Sequence, residues 1–494
     1  MKKIINKNTI IFILTFIIGI IITFPSLIPS FFLDGYCSNE IGLIEYSKNF
    51  LVSGRFLTAA SYYLLGLLKI SPNVISTISI VLSNIFLSLS VYLIYKTIIK
   101  YTNNKLNIKI LVFISSFLIC YNPFMIENLL FEESYAMTLS FMLCIIAANT
   151  LISDSDKKTL KTFLLLFIAC FLYQSTLSIF IPYAFVLITL KTKEYNIINN
   201  IKINFKTYFL GCLCYGISLV LAYILLKATL TIFNITSYKM GELNILENIK
   251  SIIRFIYEGF LSFYNYINPY LIYAVIGFIF IIVISLMITN IKKYWSRVIF
   301  LIVLMVMSVV FAYIPNLAMN SLENYAEARM LPSFGALIGL MLMMVIIFVK
   351  QEEKVNDFII TILCMIGATL MLNVSYIYFN NSFDGLKRYE NDVKYINQIK
   401  HEIKNYEHKS NQQIKKIYFY SNKPRHYKLN NKTLYNLTFY ATEWGFECAV
   451  GSFINKDIIV SNLSEKEYQE IINNQNYKNQ NYIFDEDKMY IFIE

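Results

Sequence analysis

The sequence predicts a mainly α-helical, polytopic membrane protein with about eleven transmembrane helices and a small α/β domain at its C-terminal end. Three observations support this fold class. Of the 494 residues, 56% are hydrophobic and only 15% are charged, which is too little charge for the surface of a soluble protein. Long apolar runs recur along most of the chain, and beyond about residue 380 the composition becomes polar.

Apolar runs long enough to cross, or nearly cross, a bilayer define the predicted spans. No small-residue cleavage site follows the first run, so we interpret it as a retained helix and not as a signal peptide. The spans cover about residues 8–27, 74–98, 108–121, 135–152, 160–173, 175–190, 207–232, 270–289, 297–315, 329–349 and 356–378.

Lysine and arginine concentrate in alternate loops, which sets the predicted orientation. Lys2, Lys3 and Lys7 precede the first span, whereas the loop 122–134 contains no basic residue. The positive-inside rule therefore places the N-terminus in the cytoplasm. With eleven spans, the C-terminal domain lies outside the cytoplasmic membrane. The net charge of +11 follows from this loop bias and does not require a nucleic-acid partner.

The chain divides into a transmembrane domain, 1–380, and an extracytoplasmic α/β accessory domain, 381–494. In the second, KRYENDVKYINQIKHEI predicts a helix, QIKKIYFYS a strand, SEKEYQEIINN a capped helix and NYIFDEDKMYIFIE a hairpin. The eight cysteines are scattered without a C-x-x-C pair, so we expect them to be packing residues.

A short charged segment, FLDGYCSNEIGLIEYSKNFLVSGRF at 32–56, follows the first span. Asp34 stands where a carboxylate can reach a hydroxyl that arrives from outside, as a general base requires. The stretch SNEIGLIEYSKNFL predicts one interfacial helix, and Arg55 after it offers a planar fork for a phosphate. The alternative is that Asp34 is a solvated loop acid and Arg55 a headgroup anchor.

Other polar residues near the predicted outer ends of spans are candidates for substrate binding. Glu132 and Glu133 either cap a helix N-terminus or, for one of them, bind the acceptor or a divalent ion. Gln174 either contacts a sugar or makes a structural hydrogen bond. Arg254, in the ambiguous stretch 251–270, and Arg329 are cations for a phosphate or anchors at helix ends.

The segment LDGYCSNEIGLIEYSKNFLVSGRFL resembles the first outer loop of the bacterial type II glucosyl transferase family, which modifies O-antigen and related surface glycans. NPFMIENLLFEESYAMTLSFMLCIIAA and FLYQSTLSIFIPYAF are also similar to that family. The resemblance covers about the first 190 residues and, more weakly, extends to about 350. The acidic pair of the family is Asp34-Gly35 here, which leaves Asp34 to act alone or with Glu40.

The resemblance implies a GT-C type fold and an enzyme that uses a polyprenyl-phosphate-linked hexose, such as glucose, on the outer face. The acceptor would be a cell-surface glycan or glycolipid, and an acid in the first outer loop would act as the base. The arginines would face the departing phosphate. No cofactor is assigned, and a divalent cation is left open.

Two alternatives stay open, a flippase or transporter of lipid-linked glycans and a glycan polymerase or ligase. Few charges lie deep in the spans, which disfavours the first, and no histidine precedes residue 401, which disfavours the second. The same absence excludes a histidine base or a histidine metal cluster in the predicted transmembrane domain. The chain has no P-loop, G-x-G-x-x-G or G-x-S-x-G motif.

Overall fold

The computed structural model describes residues 7–30, 33–102, 105–194, 196–234, 269–289, 291–316, 328–349, 357–422, 437–473 and 481–493. Within these ranges the chain forms a large helical assembly and one small mixed sheet near the C-terminal end. Arg254, and most of the stretch 251–270 predicted to lie at the membrane interface, fall outside the described residues.

Helices account for most of the described chain. They are α1 Lys7–Ile22, α2 Leu33–Ile41, α3 Leu43–Val52, α4 Phe56–Leu67, α5 Pro72–Tyr101, α6 Leu106–Cys120, α7 Met125–Leu129, α8 Ser134–Leu151, α9 Lys158–Leu172, α10 Phe180–Thr192, α11 Ile197–Ile232, α12 Pro269–Thr289, α13 Ile291–Tyr313, α14 Pro332–Gly335, α15 Leu337–Val349, α16 Asp357–Ser410, α17 Glu443–Phe453 and α18 Glu465–Ile472.

Several of these helices have the length and composition of membrane spans. Among the described residues, six are long and apolar enough: Pro72–Tyr101, Ser134–Leu151, Gln174–Thr192, Ile197–Ile232, Trp295–Tyr313 and Phe358–Ser410. Shorter apolar helices complete the set: Thr9–Ile22, Phe56–Leu67, Leu106–Cys120, Tyr273–Val283 and Leu337–Phe348. Each predicted span overlaps a helix, so the chain is a mainly α membrane protein; the number of crossings stays a prediction.

The core of the helical assembly lies around α5, α6, α8, α9 and α10, with α15 packed against α6. Gly339 allows that last contact, because a Cβ there would stand 2.7 Å from the backbone nitrogen of Ile119. One buried polar group links three helices: Asn84 donates to the Thr23 hydroxyl at 2.9 Å and accepts from Tyr121 at 3.1 Å. These bonds join α1, α5 and α6 where water is excluded.

The segment after the first span differs from its prediction. Gly42, with φ +82°, separates α2 from α3, so the single predicted helix is two helices. Leu43 and Phe50 of α3 are buried in a cluster with Tyr62 of α4. Ile44 is exposed, as an apolar residue facing lipid would be. The apolar face therefore serves internal packing in part.

The sheet has the order β2-β1-β4-β3, with β1 Lys416–Ser421, β2 Ile459–Asn462, β3 Tyr482–Asp485 and β4 Lys488–Ile493. Strand β1 is parallel to both neighbours, and β3 and β4 form an antiparallel hairpin. The predicted strand, hairpin and capped helix are confirmed; Ser464 and Glu467 make the capping box of α18. The composition change near residue 380 falls inside the unbroken helix α16, so the domain boundary stays a prediction.

Two cysteines are not the packing residues that the sequence suggested. Cys37 of α2 and Cys448 of α17 form a disulfide between positions 411 residues apart in the chain. Their spacing carries no motif, and only the tertiary fold brings the two thiols together. Cys120, Cys144, Cys170 and Cys214 are free and buried, in agreement with the prediction.

Candidate functional site

Asp34 lies in the first turn of α2 and is half-buried. Its charge acts on two other carboxyl groups, Glu132 and Glu133, which stand in the short connection between α7 and α8. The fold therefore joins the first loop with the start of α8, nearly 100 positions later in the sequence, into one acidic cluster. We define the acidic cluster as Asp34, Glu132 and Glu133.

Glu132 is almost fully buried and is bound to the helix that carries Asp34. The Ser38 hydroxyl, one turn after Asp34 in α2, contacts the two carboxyl oxygens of Glu132 at 2.9 and 3.1 Å. Burial raises the pKa of Glu132 to about 8, with further raising by the charges of Glu133 and Asp34, while the Ser38 hydrogen bond opposes the rise. Burial thus favours the protonated form of Glu132.

Glu133 pairs with Arg55, the arginine that ends the first loop. The Arg55 Nη1 to Glu133 Oε1 distance is 3.3 Å, and both side chains are largely buried. Burial raises the pKa of Glu133, and the Arg55 charge lowers it. Glu133 is the N-cap residue of α8, the helix end where the dipole stabilises an acid, although its side chain makes no capping hydrogen bond to the helix.

Arg55 is held by more than its ion pair. Its guanidinium lies over the ring of Tyr173, 4.6 Å from the centroid. Gln174, next to that tyrosine, donates to the carbonyls of Ser53 and Gly54 at 3.3 and 3.1 Å. The Tyr173-Gln174 junction therefore fixes the turn that presents Arg55, and Gln174 makes the structural hydrogen bond that was one of its two predicted roles.

Arg329 also approaches the acidic cluster. Its guanidinium lies over the Phe131 ring at 4.3 Å, and its charge lowers the pKa of Glu133. Its backbone N–H donates to Glu127, a buried carboxylate of α7, at 3.1 Å. The sequence analysis did not single out Glu127. The available signal was this glutamate within the mostly apolar stretch NPFMIENLLF.

Glu40 lies apart from this cluster. Its side chain packs against Gly451 of α17, where a Cβ would clash with the carboxyl group. Burial raises the pKa of Glu40, as does the nearby charge of Glu447. The structure thus brings Asp34, Arg55, Glu133, Gln174 and Arg329 into one region and turns Glu40 toward α17. We define the C-terminal unit as the sheet β1–β4 with α17, α18 and the C-terminal half of α16.

The arrangement combines three properties. One carboxyl, Asp34, retains solvent exposure and can exchange a proton with an incoming hydroxyl. Two cations, Arg55 and Arg329, stand beside buried acids and over aromatic rings, which holds their planes in place. Among the described residues, no three His, Cys, Asp or Glu side chains are grouped as they would be to hold a metal ion.

Comparison with known proteins identifies one family. The model of the family described as glucosyl transferase GtrII matches residues 38–346. The match includes Glu132, Glu133, Arg55, Gln174 and Arg329, and it begins four residues after Asp34. A search of curated proteins finds no match.

Proposed function

Because the chain belongs to the glucosyl transferase GtrII family, we propose that it transfers a hexose from a polyprenyl-phosphate carrier to a surface glycan or glycolipid, with Asp34 as general base. The observation that carries the proposal is the acidic cluster with Arg55 and Arg329 beside it. A phosphate-linked sugar already has a good leaving group. The site then needs a base for the acceptor hydroxyl and cations near the departing phosphate.

In the proposed mechanism, Asp34 accepts the proton of the acceptor hydroxyl as its oxygen attacks the anomeric carbon. The bond from that carbon to the phosphate oxygen breaks, and the polyprenyl phosphate leaves with the electron pair. Arg55 and Arg329 stabilise the charge on the leaving phosphate. Glu133 holds the Arg55 guanidinium in place, so this arginine does not need to be ordered by the donor.

We further propose that the reaction takes place on the outer face, with residues 381–494 as an extracytoplasmic accessory domain. The Cys37–Cys448 disulfide joins the first loop to the C-terminal unit, which requires both to lie on one side of the membrane. Disulfides persist in oxidising compartments such as the outside of the cell. The lysine and arginine bias also places the first loop and the C-terminal domain outside. This domain would then help to hold the glycan acceptor.

The test uses purified protein in liposomes, supplied with polyprenyl-phosphate glucose and the surface glycan of the host strain as acceptor. We expect a glycan that is one hexose heavier per modified unit, together with free polyprenyl phosphate, both measured by mass spectrometry. A nucleotide sugar offered as the donor should give no product. Movement of lipid-linked glycan across the bilayer without any new glycosidic bond would refute the transferase and support a flippase.

A second test, in cells, compares the surface glycan of a deletion strain with that of the parent strain. Loss of one side-branch hexose per repeat is the expected result. Polymer of altered length with unchanged side branches would instead support a polymerase or ligase.

A further inference from the structure

Helix α2, which carries Asp34, is held on two sides by distant parts of the chain. On one side, Ser38 is hydrogen-bonded to Glu132 in the connection before α8. On the other side, residues of α2 adjacent to Ser38 contact the C-terminal unit. Helix α2 has nine residues, and isolated helices shorter than about 12–15 residues are marginal in water. Its position therefore depends on these contacts.

Tyr36 belongs to the hydrophobic core of the C-terminal unit. Its side chain is fully buried in a cluster with Ile396 and Ile399 of α16 and Phe446 of α17. Its ring meets that of Phe453 edge-on, with centroids 6.0 Å apart. A residue two positions after Asp34 is thus part of a core built mainly from residues beyond 390.

The Tyr36 hydroxyl also joins a buried polar network. It donates to Asp392 Oδ2 at 3.3 Å, and Arg388 Nη1 stands 3.7 Å from the same oxygen. Arg388 in turn donates to the carbonyl of Leu437 at 3.0 Å. Because Arg388 and Asp392 are both almost completely buried, a lost partner would leave a polar group without water to replace it.

Two further contacts follow in the next three residues of α2. Cys37 is covalently joined to Cys448 of α17, with 4.7 Å between the Cα atoms. Asn39 donates to the hydroxyl of Ser452, one turn further along α17. Residues 36, 37 and 39 are therefore all bound to the C-terminal unit. We define the α2 clamp as Tyr36, Asp392 and the Cys37–Cys448 disulfide.

We propose that the C-terminal unit positions the reaction site through the α2 clamp, which fixes the first turn of α2 and hence the Asp34 carboxyl. Tyr36 and Cys37 are positioning residues, since they act through Asp34 and do not contact the reacting atoms. The proposal rests on the proposed function, in which Asp34 is the base. Misplacing a reacting group by about 1 Å can lower a rate by about 10²-fold, so a loosened clamp should reduce turnover strongly.

The first experiment reduces the disulfide in the folded, reconstituted protein with dithiothreitol. We expect kcat to fall about 10- to 100-fold while the KM for the polyprenyl-phosphate donor changes by less than about twofold. Removal of the reductant and oxidation with glutathione disulfide should restore kcat. The paired variant Cys37→Ser with Cys448→Ser should show the low kcat and no response to either reagent.

Cys212→Ser is the matched control, because Cys212 is an exposed, free cysteine of α11. It should keep the wild-type rate and the wild-type response to dithiothreitol. Tyr36→Phe retains the ring and removes only the hydroxyl, so it should lower kcat without changing the donor KM. Equal rates for oxidised and reduced wild-type protein would overturn the positioning role.

The second experiment does not depend on activity. A protease site inserted at Asn411–Gln413, exposed residues between α16 and β1, allows the chain to be cut before the sheet. After cleavage, the C-terminal fragment should stay with the membrane part in non-reducing denaturing gels and separate after reduction. Separation without reductant would overturn the covalent link. If the uncut protein transfers no sugar at all, the proposed function and the positioning role both fail. A fragment that stays linked until reduction would still establish the disulfide.

Discussion

The three carboxyl groups of the acidic cluster differ in exposure and in partners. Asp34 is half-buried, Glu132 is bound by Ser38, and Glu133 is paired with Arg55. Different environments separate the protonation behaviour of neighbouring acids and so allow different roles. The half-buried member, Asp34, suits proton exchange with a substrate, whereas the two buried members fix α2 and Arg55.

Asp34→Asn should abolish most of the transfer while leaving donor binding intact. The amide keeps the size and hydrogen-bonding shape of the carboxylate but cannot accept the acceptor proton. A general base contributes about 10²–10⁴-fold, and we expect a loss of kcat in that range. The measurement is kcat in liposomes, together with donor binding by the same protein.

The control for this variant is Asp457→Asn, an exposed acid of the C-terminal unit. It should transfer at the wild-type rate. Near-normal transfer by the Asp34→Asn protein would reject the base assignment, and Glu133 would become the next candidate.

Glu132→Gln should change how stability depends on pH. In the unfolded chain a glutamate titrates near about 4.3, whereas burial raises the pKa of Glu132 to about 8 in the folded protein. The stability from its protonated form is therefore complete below about 4.3 and is lost as the pH rises through about 8. Glutamine removes this dependence.

We therefore expect the Tm of Glu132→Gln, relative to that of the wild type, to increase between about pH 5 and pH 8.5. Thermal unfolding in detergent at several pH values measures it. Glu470→Gln, at an exposed position of α18, is the control and should follow the wild-type curve. A difference between wild type and Glu132→Gln that stays constant over this range would contradict the titration of Glu132.

Arg55→Ala should weaken donor binding and also destabilise the protein, because it leaves Glu133 buried without its cation. The double variant Arg55→Ala with Glu133→Gln separates the two effects. It should recover thermal stability but not donor affinity, measured by titration with polyprenyl-phosphate glucose. Donor affinity restored together with stability would show that Arg55 acts only through Glu133.

At the scale of elements, hydrophobic runs were sufficient to predict most of the apolar helices, since each predicted span overlaps a helix; the short apolar helix α4, Phe56–Leu67, was not predicted. Turn and cap chemistry was sufficient for the β3–β4 hairpin and for α18. The break at Gly42 was missed because the flanking apolar pattern continues through it. The bonds Ser38–Glu132 and Cys37–Cys448 join residues far apart in sequence and carry no local signal.

The turn between α3 and α4 gives a prediction at this scale. Gly54 has φ +74°, and a Cβ there would stand 3.1 Å from both Gln174 Nε2 and Leu226 Cδ2. Gly54→Ala therefore meets backbone strain of about 1–2 kcal/mol and a close contact with the side chain that holds the turn. We expect a lower Tm and a lower donor affinity, because Arg55 follows directly.

Gly216→Ala is the matched control, since nothing lies within 4 Å of a Cβ at that position in α11. Alanine is the better helix former, so this variant should be as stable as the wild type or slightly more stable. If Gly54→Ala unfolds at the wild-type temperature and binds donor normally, the turn does not depend on the glycine.

For the molecule as a whole, the α2 clamp connects the membrane part and the C-terminal sheet unit. Tyr36 lies in the core of the C-terminal unit, and Cys37 forms a disulfide with it. Residues of the first loop are therefore part of the C-terminal unit. A division at residue 381 would cut helix α16 and remove the partners of α2. The disulfide also requires the first loop and the C-terminal unit to lie on the same side of the membrane.

Orientation gives the last prediction, with the first loop and the C-terminal unit outside. The background protein keeps Cys37 and Cys448, whose disulfide does not react with thiol reagents, and lacks the more accessible free cysteines Cys212 and Cys364. Lys456→Cys then reports on the C-terminal unit, and Lys157→Cys reports on the loop between α8 and α9; both positions are exposed.

In intact cells, a membrane-impermeant maleimide should label Lys456→Cys and spare Lys157→Cys, because lysine-rich loops stay in the cytoplasm. After the membrane is permeabilised, both should be labelled, which shows that each thiol is accessible. The opposite pattern in intact cells would invert the topology. It would place the acidic cluster toward the cytoplasm, and an outer-face acceptor would then be excluded, since Cys37 ties the first loop to the side where Cys448 lies.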